Sequence, residues 1–117
     1  MRLNHINLTV TDVLETQTFL EKYFGMKNGG GNSNIAFLTD DGGMVLTLTS
    51  TKLAREDEVR YPRTFHIGFC QESEERVNEI NKRLKDDGFD VPPPSRQHRS
   101  STFYFLAPGG FTIEVLA

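Results

Sequence analysis

Tryptophan is missing from the 117 residues, and cysteine occurs once, at Cys70. A single cysteine excludes an intramolecular disulfide, which fits a reducing cytoplasm better than a secreted setting. No apolar stretch nears the roughly eighteen residues of a membrane span. The amino-terminal MRLNHINLTV alternates apolar with polar residues instead of forming a signal-peptide core. Long runs of one charge sign are equally absent. With 16 acidic and 13 basic side chains the net charge is −3, and without a basic stripe neither nucleic acid nor a membrane surface is an expected partner. The glycines of NGGGNSN, residues 28–34, do not make a phosphate loop, because the spacing and the following Lys-Ser or Lys-Thr are lacking. What is there, 37% hydrophobic and 25% charged residues, suits one compact, soluble, cytoplasmic domain that handles a small molecule.

The apolar pattern falls into two similar series. Leu3 to Val10 alternates, with Ile6, Leu8 and Val10 on one face and His5, Asn7 and Thr9 on the other, which predicts a strand with one apolar side. Asp12, with Glu15 three residues on, forms a capping pattern for a helix whose apolar set is Val13, Leu20 and Phe24 and which Gly25 is placed to end. Residues 28–34 read as a loop, and IAFLT, DDGG and MVLTLTS as a strand hairpin. A charged connector, TKLAREDEVRYPR, reads as an exposed linker.

The second series opens on RTFHIGFC, where Phe65, Ile67 and Phe69 oppose His66, Gly68 and Cys70. Ser73 caps a helix that carries Glu74 and Glu75 in its first turn and Lys82, Arg83 and Lys85 near its end, and Gly88 closes it. After the loop DVPPPSRQHRSS come STFYFLA, the turn PGG and FTIEVLA, with Phe103 and Phe105 as core. Cys70 is expected to be a small buried apolar residue.

Similar offsets, separated only by small loop changes, identify the two series as a duplication. His5 and His66 are 61 residues apart, Gly25 and Gly88 63, the turn glycines 42 and 109 67, and the pairs Phe37-Leu38 and Phe105-Leu106 68. Module one is then about 1–50, a linker about 51–63 and module two about 64–117, within a single domain. The turn-glycine offset of 67 also sets Thr47 against Glu114. Strand alternation turns both away from their apolar neighbours, onto the kind of face that carries His5 and His66.

Three stretches, NHINLTVTD, HIGF and FYFLAPGGFTIEV, carry a resemblance to the vicinal oxygen chelate superfamily over nearly the whole chain. That superfamily comprises glyoxalase I, fosfomycin-resistance proteins, bleomycin-resistance proteins and extradiol dioxygenases. The resemblance implies an α+β fold: tandem βαβββ modules forming a cupped, barrel-like mixed sheet with flanking helices. It also implies a metal held by first- and last-strand residues of each module. Carried over, His5, His66 and Glu114 match three ligand positions and Thr47 falls on the fourth, where glyoxalase I has a carboxylate or amide. Two imidazoles and one carboxylate form a facial triad suited to iron(II), manganese, nickel, cobalt or zinc, with Lewis-acid polarisation of a chelating oxygen pair as the chemistry.

Around these ligands, Tyr104 is the candidate catalytic residue, ten residues before Glu114, and the resemblance implies a substrate-contacting tyrosine at this spacing. Asn7, Thr9 and Thr47 share the His5 face type, and Arg96, His98 and Arg99 form a rim suited to an anionic substrate. Fosfomycin-transferring members continue with a basic tail and carry a rim lysine; here the sequence stops three residues after Glu114, and the lysine position falls near Pro94.

Two function classes follow. One is a metal-dependent lyase, transferase or dioxygenase acting on a small substrate with vicinal oxygens. The other is a metal-free binding protein of the bleomycin-resistance type, whose nine phenylalanines line a pocket. The family arrangement implies a homodimer in which His5 from one chain meets His66 and Glu114 from the other.

Overall fold

HINLTV forms strand β1 (His5–Val10), with Leu8 and Val10 buried and His5 and Asn7 exposed. Helix α1 (Val13–Phe24) begins where the Asp12 carboxylate accepts from the Glu15 amide at 2.9 Å, and ends at Gly25 in the left-handed conformation, φ 65°. Its buried stripe runs through Val13, Thr16, Phe19, Leu20 and Tyr23; Phe24, expected in that stripe, is half-exposed. Strands β2 (Lys27–Gly31), β3 (Ile35–Thr39) and β4 (Val45–Ser50) follow, then the one-turn helix α2 (Thr51–Ala54). The sheet order is β1-β4-β3-β2, with β1 parallel to β4 and the other pairs antiparallel.

The second series builds β5 (His66–Cys70), α3 (Glu74–Asp86), β6 (Ser95–Gln97), β7 (Ser100–Ala107) and β8 (Phe111–Leu116). Its order is β5-β8-β7-β6, with β5 parallel to β8. The Ser73 hydroxyl caps α3 by accepting from the Arg76 amide at 3.2 Å. Val77, Ile80 and Leu84 of α3 are buried, as are Phe103 and Phe105 of β7 and Ile113 and Val115 of β8. Each series is therefore a βαβββ module, and the chain has an α+β fold. The computed structural model describes all residues 1–117, and they divide into two compact units, 1–61 with 108–111 and 62–107 with 112–117. No helix is long and apolar enough to cross a membrane.

Four local expectations are corrected. Residues 28–34 are not simply a loop: KNGGG pairs with β3 as β2, with a register shift between Asn28 and Gly31. Backbone hydrogen bonds alone specify that pairing, so the stretch carries no side-chain alternation to read. The connector begins with α2, capped by the Ser50 hydroxyl, which accepts from the Leu53 amide at 3.1 Å. β6 lies inside the proline-rich loop and turns into β7 through His98 and Arg99, both left-handed at φ 48° and 70°, as a two-residue hairpin turn demands. Cys70 is exposed, because it shares the strand face of His66 and Gly68.

Sheet register refines the repeat. His5 pairs with Val45 and Asn7 with Thr47; His66 pairs with Thr112 and Gly68 with Glu114. Phe37 pairs with Thr47. In the second sheet Ser101 and Ala117 exchange both backbone hydrogen bonds, at 2.9 and 3.1 Å. Moving three residues inward along each strand sets Tyr104 across from Glu114. The structural equivalent of Phe37 is thus Tyr104, not Phe105, and the matching Phe-Leu pairs are one residue out of register.

Gly31 tests the β2 assignment. At φ 135°, an added Cβ would stand 2.3 Å from the Ile35 carbonyl oxygen and 2.6 Å from the Ala36 Cα, whereas Gly25 has open space around it. Gly31→Ala should cost roughly 2 kcal/mol or more and Gly25→Ala about 1 kcal/mol in urea unfolding. Equal costs would contradict the close pairing of β2 with β3.

Candidate functional site

Glu114 organises the second unit. Alternation along β8 buries Ile113 and Val115 and turns Glu114 to the other face, where its side chain keeps 14% of its exposure. Gly68 lies opposite and has no side chain to crowd it; a Cβ there would sit 3.8 Å from Glu114 Oε2. Across the sheet, the Thr102 hydroxyl donates to Glu114 Oε1 at 2.9 Å. The Tyr104 phenol also hydrogen-bonds the carboxylate, and this bond, with burial and the carboxylate charge adding to it, raises the phenol above its usual value. Tyr104 is therefore a neutral hydrogen-bond donor near pH 7.

His66 completes the cluster. Its Nε2 is 3.3 Å from Glu114 Oε2, and its ring meets that of Tyr104 edge-on with centroids 5.3 Å apart. The other ring nitrogen, Nδ1, lies 3.0 Å from the Thr64 carbonyl oxygen. A carbonyl can only accept, so Nδ1 carries a proton, and in the neutral ring the Nε2 lone pair faces the carboxylate. Two acceptors at that distance call for a cation, either a second proton on the ring or a metal ion. Two ligands each about 2.1 Å from one ion and at roughly a right angle stand about 3 Å apart, so the separation suits a divalent metal. Imidazole nitrogen plus carboxylate oxygen also fits the transition metals named above.

His5 stands in the first unit with the same polarity. Its Nδ1 contacts Asn4 Oδ1 at 2.7 Å, which leaves Nε2 free. Asn7 Oδ1 accepts from the Thr49 hydroxyl at 2.8 Å, and Thr47 is buried. Because His5 belongs to one unit and His66 with Glu114 to the other, each unit by itself gathers at most two of the three candidate ligands. No group of three His, Cys, Asp or Glu side chains able to hold a metal occurs in the chain. Arg96 is ion-paired to Glu74 at 2.6 Å, and Arg99 sits on the hairpin turn.

Two features escaped sequence reasoning. Thr102, buried and bonded to Glu114, reads in sequence only as a strand residue before an aromatic run. The connector folds back so that Thr9, Glu56, Glu58, Val59, Arg60 and Tyr61 line a cavity of about 200 Å³ in the first unit. There the Tyr61 hydroxyl donates to the Thr9 carbonyl at 2.7 Å, and Arg60 pairs with Glu58. A lone tyrosine among charged residues was the available signal.

Comparison with known proteins adds three relatives and a family. The model of the Glyoxalase/Bleomycin resistance protein/Dioxygenase superfamily matches residues 2–115. A solved structure of a possible glyoxalase from Bacillus cereus is 52% identical, covers 100% of this chain and 99% of its own, and superposes with a TM-score of 0.90. A genomically encoded fosfomycin resistance protein from Listeria monocytogenes is 25% identical over 100% of this chain and 93% of its own, with a TM-score of 0.80. A probable trivalent organoarsenical cleaving enzyme from Bacillus subtilis is 32% identical over 90 residues, which are 76% of this chain. The match spans only 58% of that curated relative's length.

Tyr61 generates a pH prediction. Burial raises its phenol above the ordinary value of about 10. Folding therefore favours the protonated form: the contribution is fully present below the unfolded value and is lost as pH rises through the folded one. Tyr61→Phe should lower stability by about 1 kcal/mol at neutral pH, through the lost bond to Thr9, and should flatten the alkaline decline. Urea unfolding at pH 7 through pH 11 measures both; an alkaline decline of unchanged slope in Tyr61→Phe would refute the assignment.

Proposed function

We propose that this chain, which belongs to the Glyoxalase/Bleomycin resistance protein/Dioxygenase superfamily, is a divalent-metal-dependent enzyme acting on a small substrate with vicinal oxygens. The observation that carries the reading is the facing of His66 Nε2 and Glu114 Oε2, with His66 Nδ1 already committed to Thr64. His5 is the third ligand, its Nε2 likewise free while Nδ1 is held by Asn4. Bound by these three, the cation would supply Lewis-acid polarisation of two neighbouring substrate oxygens. Relatives named for fosfomycin resistance and for cleaving trivalent organoarsenicals support a small-molecule substrate.

The chain's own groups have separate tasks in this reading. Glu114, hydrogen-bonded by Thr102 and Tyr104, is held in orientation beside His66. Tyr104, a neutral phenol, is not the base; it can donate its single O–H hydrogen to a substrate oxygen only by giving up the bond to Glu114. Asn7 engages Thr49 through its oxygen and so keeps its amide N–H groups for substrate. Thr47, a buried hydroxyl, contacts substrate and does not ligate. Arg96 is tied to Glu74, so of the rim arginines Arg99 is the stronger candidate for an anionic group.

Each chain holds one His66–Glu114 pair and one His5, and we propose that two chains complete two sites by exchanging them. Elemental analysis of protein purified without chelators should find about one divalent ion per chain, and His5→Ala, His66→Ala and Glu114→Ala should each lose it. Metal at about 100 times its dissociation constant should stabilise the wild type by roughly 2.7 kcal/mol. Protein devoid of metal, stabilised by organic ligands and indifferent to chelators, would mean a binding protein of the bleomycin-resistance type instead.

Subunit exchange tests the shared site. Mixing His5→Ala with Glu114→Ala at equal ratio should restore about a quarter of the wild-type sites, since half the dimers are mixed and each regains one of two sites. Recovery of none, with exchange verified by mass, would place all three ligands within one chain.

A further inference from the structure

We infer that Thr102, which lies outside the ligand set, is the positioning residue that fixes Glu114 to present a single oxygen, Oε2, beside His66. The inference rests on the metal-dependent reading of the site. Thr102 is 1% exposed, and its hydroxyl donates to Glu114 Oε1 at 2.9 Å. The other oxygen, Oε2, faces His66 Nε2 at 3.3 Å. One oxygen is thus occupied by the chain itself, and the carboxylate cannot turn away without stripping a buried hydroxyl of its acceptor.

The duplication supplies an internal control. Glu114 corresponds to Thr47, and by the same register, in which Ile35 pairs with Thr49 and Tyr104 lies across from Glu114, Thr102 corresponds to Ile35. Where the carboxylate is missing, the hydroxyl is missing too. β-Propensity alone does not account for the threonine, because Ile35 serves the strand equally well. Gly68, opposite Glu114, places no side chain against the carboxylate, so on the β5 side only His66 meets it. Hydroxyl on one oxygen and imidazole on the other, with the Tyr104 phenol as a second donor to the carboxylate, define the presentation.

Carboxylate partners of this kind typically govern metal affinity by about 10- to 100-fold. Thr102→Val removes the hydroxyl at constant shape and Thr102→Ser retains it. On dialysed full-length protein, Mn²⁺ affinity measured by competition with a chelating dye should fall about 10- to 100-fold in the valine variant, and the serine variant should stay close to wild type. A merely structural role would lower the melting temperature of both the metal-free and loaded protein without this split between valine and serine. Crystal structures of wild type and Thr102→Val provide a readout independent of metal: the Glu114 carboxylate should rotate away from its wild-type position. Wild-type Mn²⁺ affinity in the valine variant, or an unmoved carboxylate, overturns the inference. If wild type binds no Mn²⁺, the metal reading falls, and the rotation or immobility of Glu114 in the two structures still decides the role of Thr102. Should the valine variant not fold, Thr102→Ala against Thr102→Ser makes the same comparison.

Discussion

Parallel pairing of the first strand with the last, β1 with β4 and β5 with β8, is the constraint from which the rest of each unit follows. It forces the chain to travel out through a helix and two antiparallel strands before it can return alongside its start. It also fixes which residues meet. Shifting β8 by one residue against β5 would turn Glu114 into the layer held by Ile113 and Val115 and expose those two instead, so burial and chemistry select the same register. Glu114 therefore reaches His66 for the same reason that Ile113 reaches the core.

The two units keep that architecture and divide its chemistry. At matching positions the first carries His5, Asn7, Ile35, Phe37 and Thr47, and the second His66, Gly68, Thr102, Tyr104 and Glu114. In the second, a carboxylate is surrounded by two hydroxyl donors and an imidazole. In the first, the carboxylate and its donors are gone together, and Asn7 with Thr49 makes a neutral pair in their place. Removing the acid alone would have left a buried hydroxyl without its acceptor, so the joint replacement is the cheaper course.

How far the sequence disclosed this depends on where side chains carried the information. β1, α1, β7, β8 and the caps at Asp12, Gly25 and Ser73 follow from alternation and end signals, and all stand in the structure. β2 was illegible because glycines specify it through backbone geometry. α2 and β6 were too short for any period to register. Cys70 was read from its residue type, although its own strand's alternation already put it with His66. The pairing of His66 with Glu114 was accessible from the duplication, but the link from Thr102 was not, since it runs across neighbouring strands between residues twelve apart. Only a fixed register makes that link visible.

The donor and acceptor inventory sets this cluster apart from the other polar groups in the second unit. No buried side-chain nitrogen or oxygen in the chain lacks a partner, and Thr102, Tyr104 and the Thr64 carbonyl are each matched by a group of opposite sense. The contact between His66 Nε2 and Glu114 Oε2 is the exception in kind. With Nδ1 committed to Thr64, a neutral imidazole offers the carboxylate no hydrogen there. With a second proton on the ring the contact would be an ordinary, partly exposed ion pair worth about 1 kcal/mol or less. Gly68 leaves the pair room, while Thr102 and Tyr104 hold the carboxylate and Thr64 fixes the ring. Three restraints on so weak a pair keep two lone pairs converging on one point, the preorganisation that the proposed cation site would require.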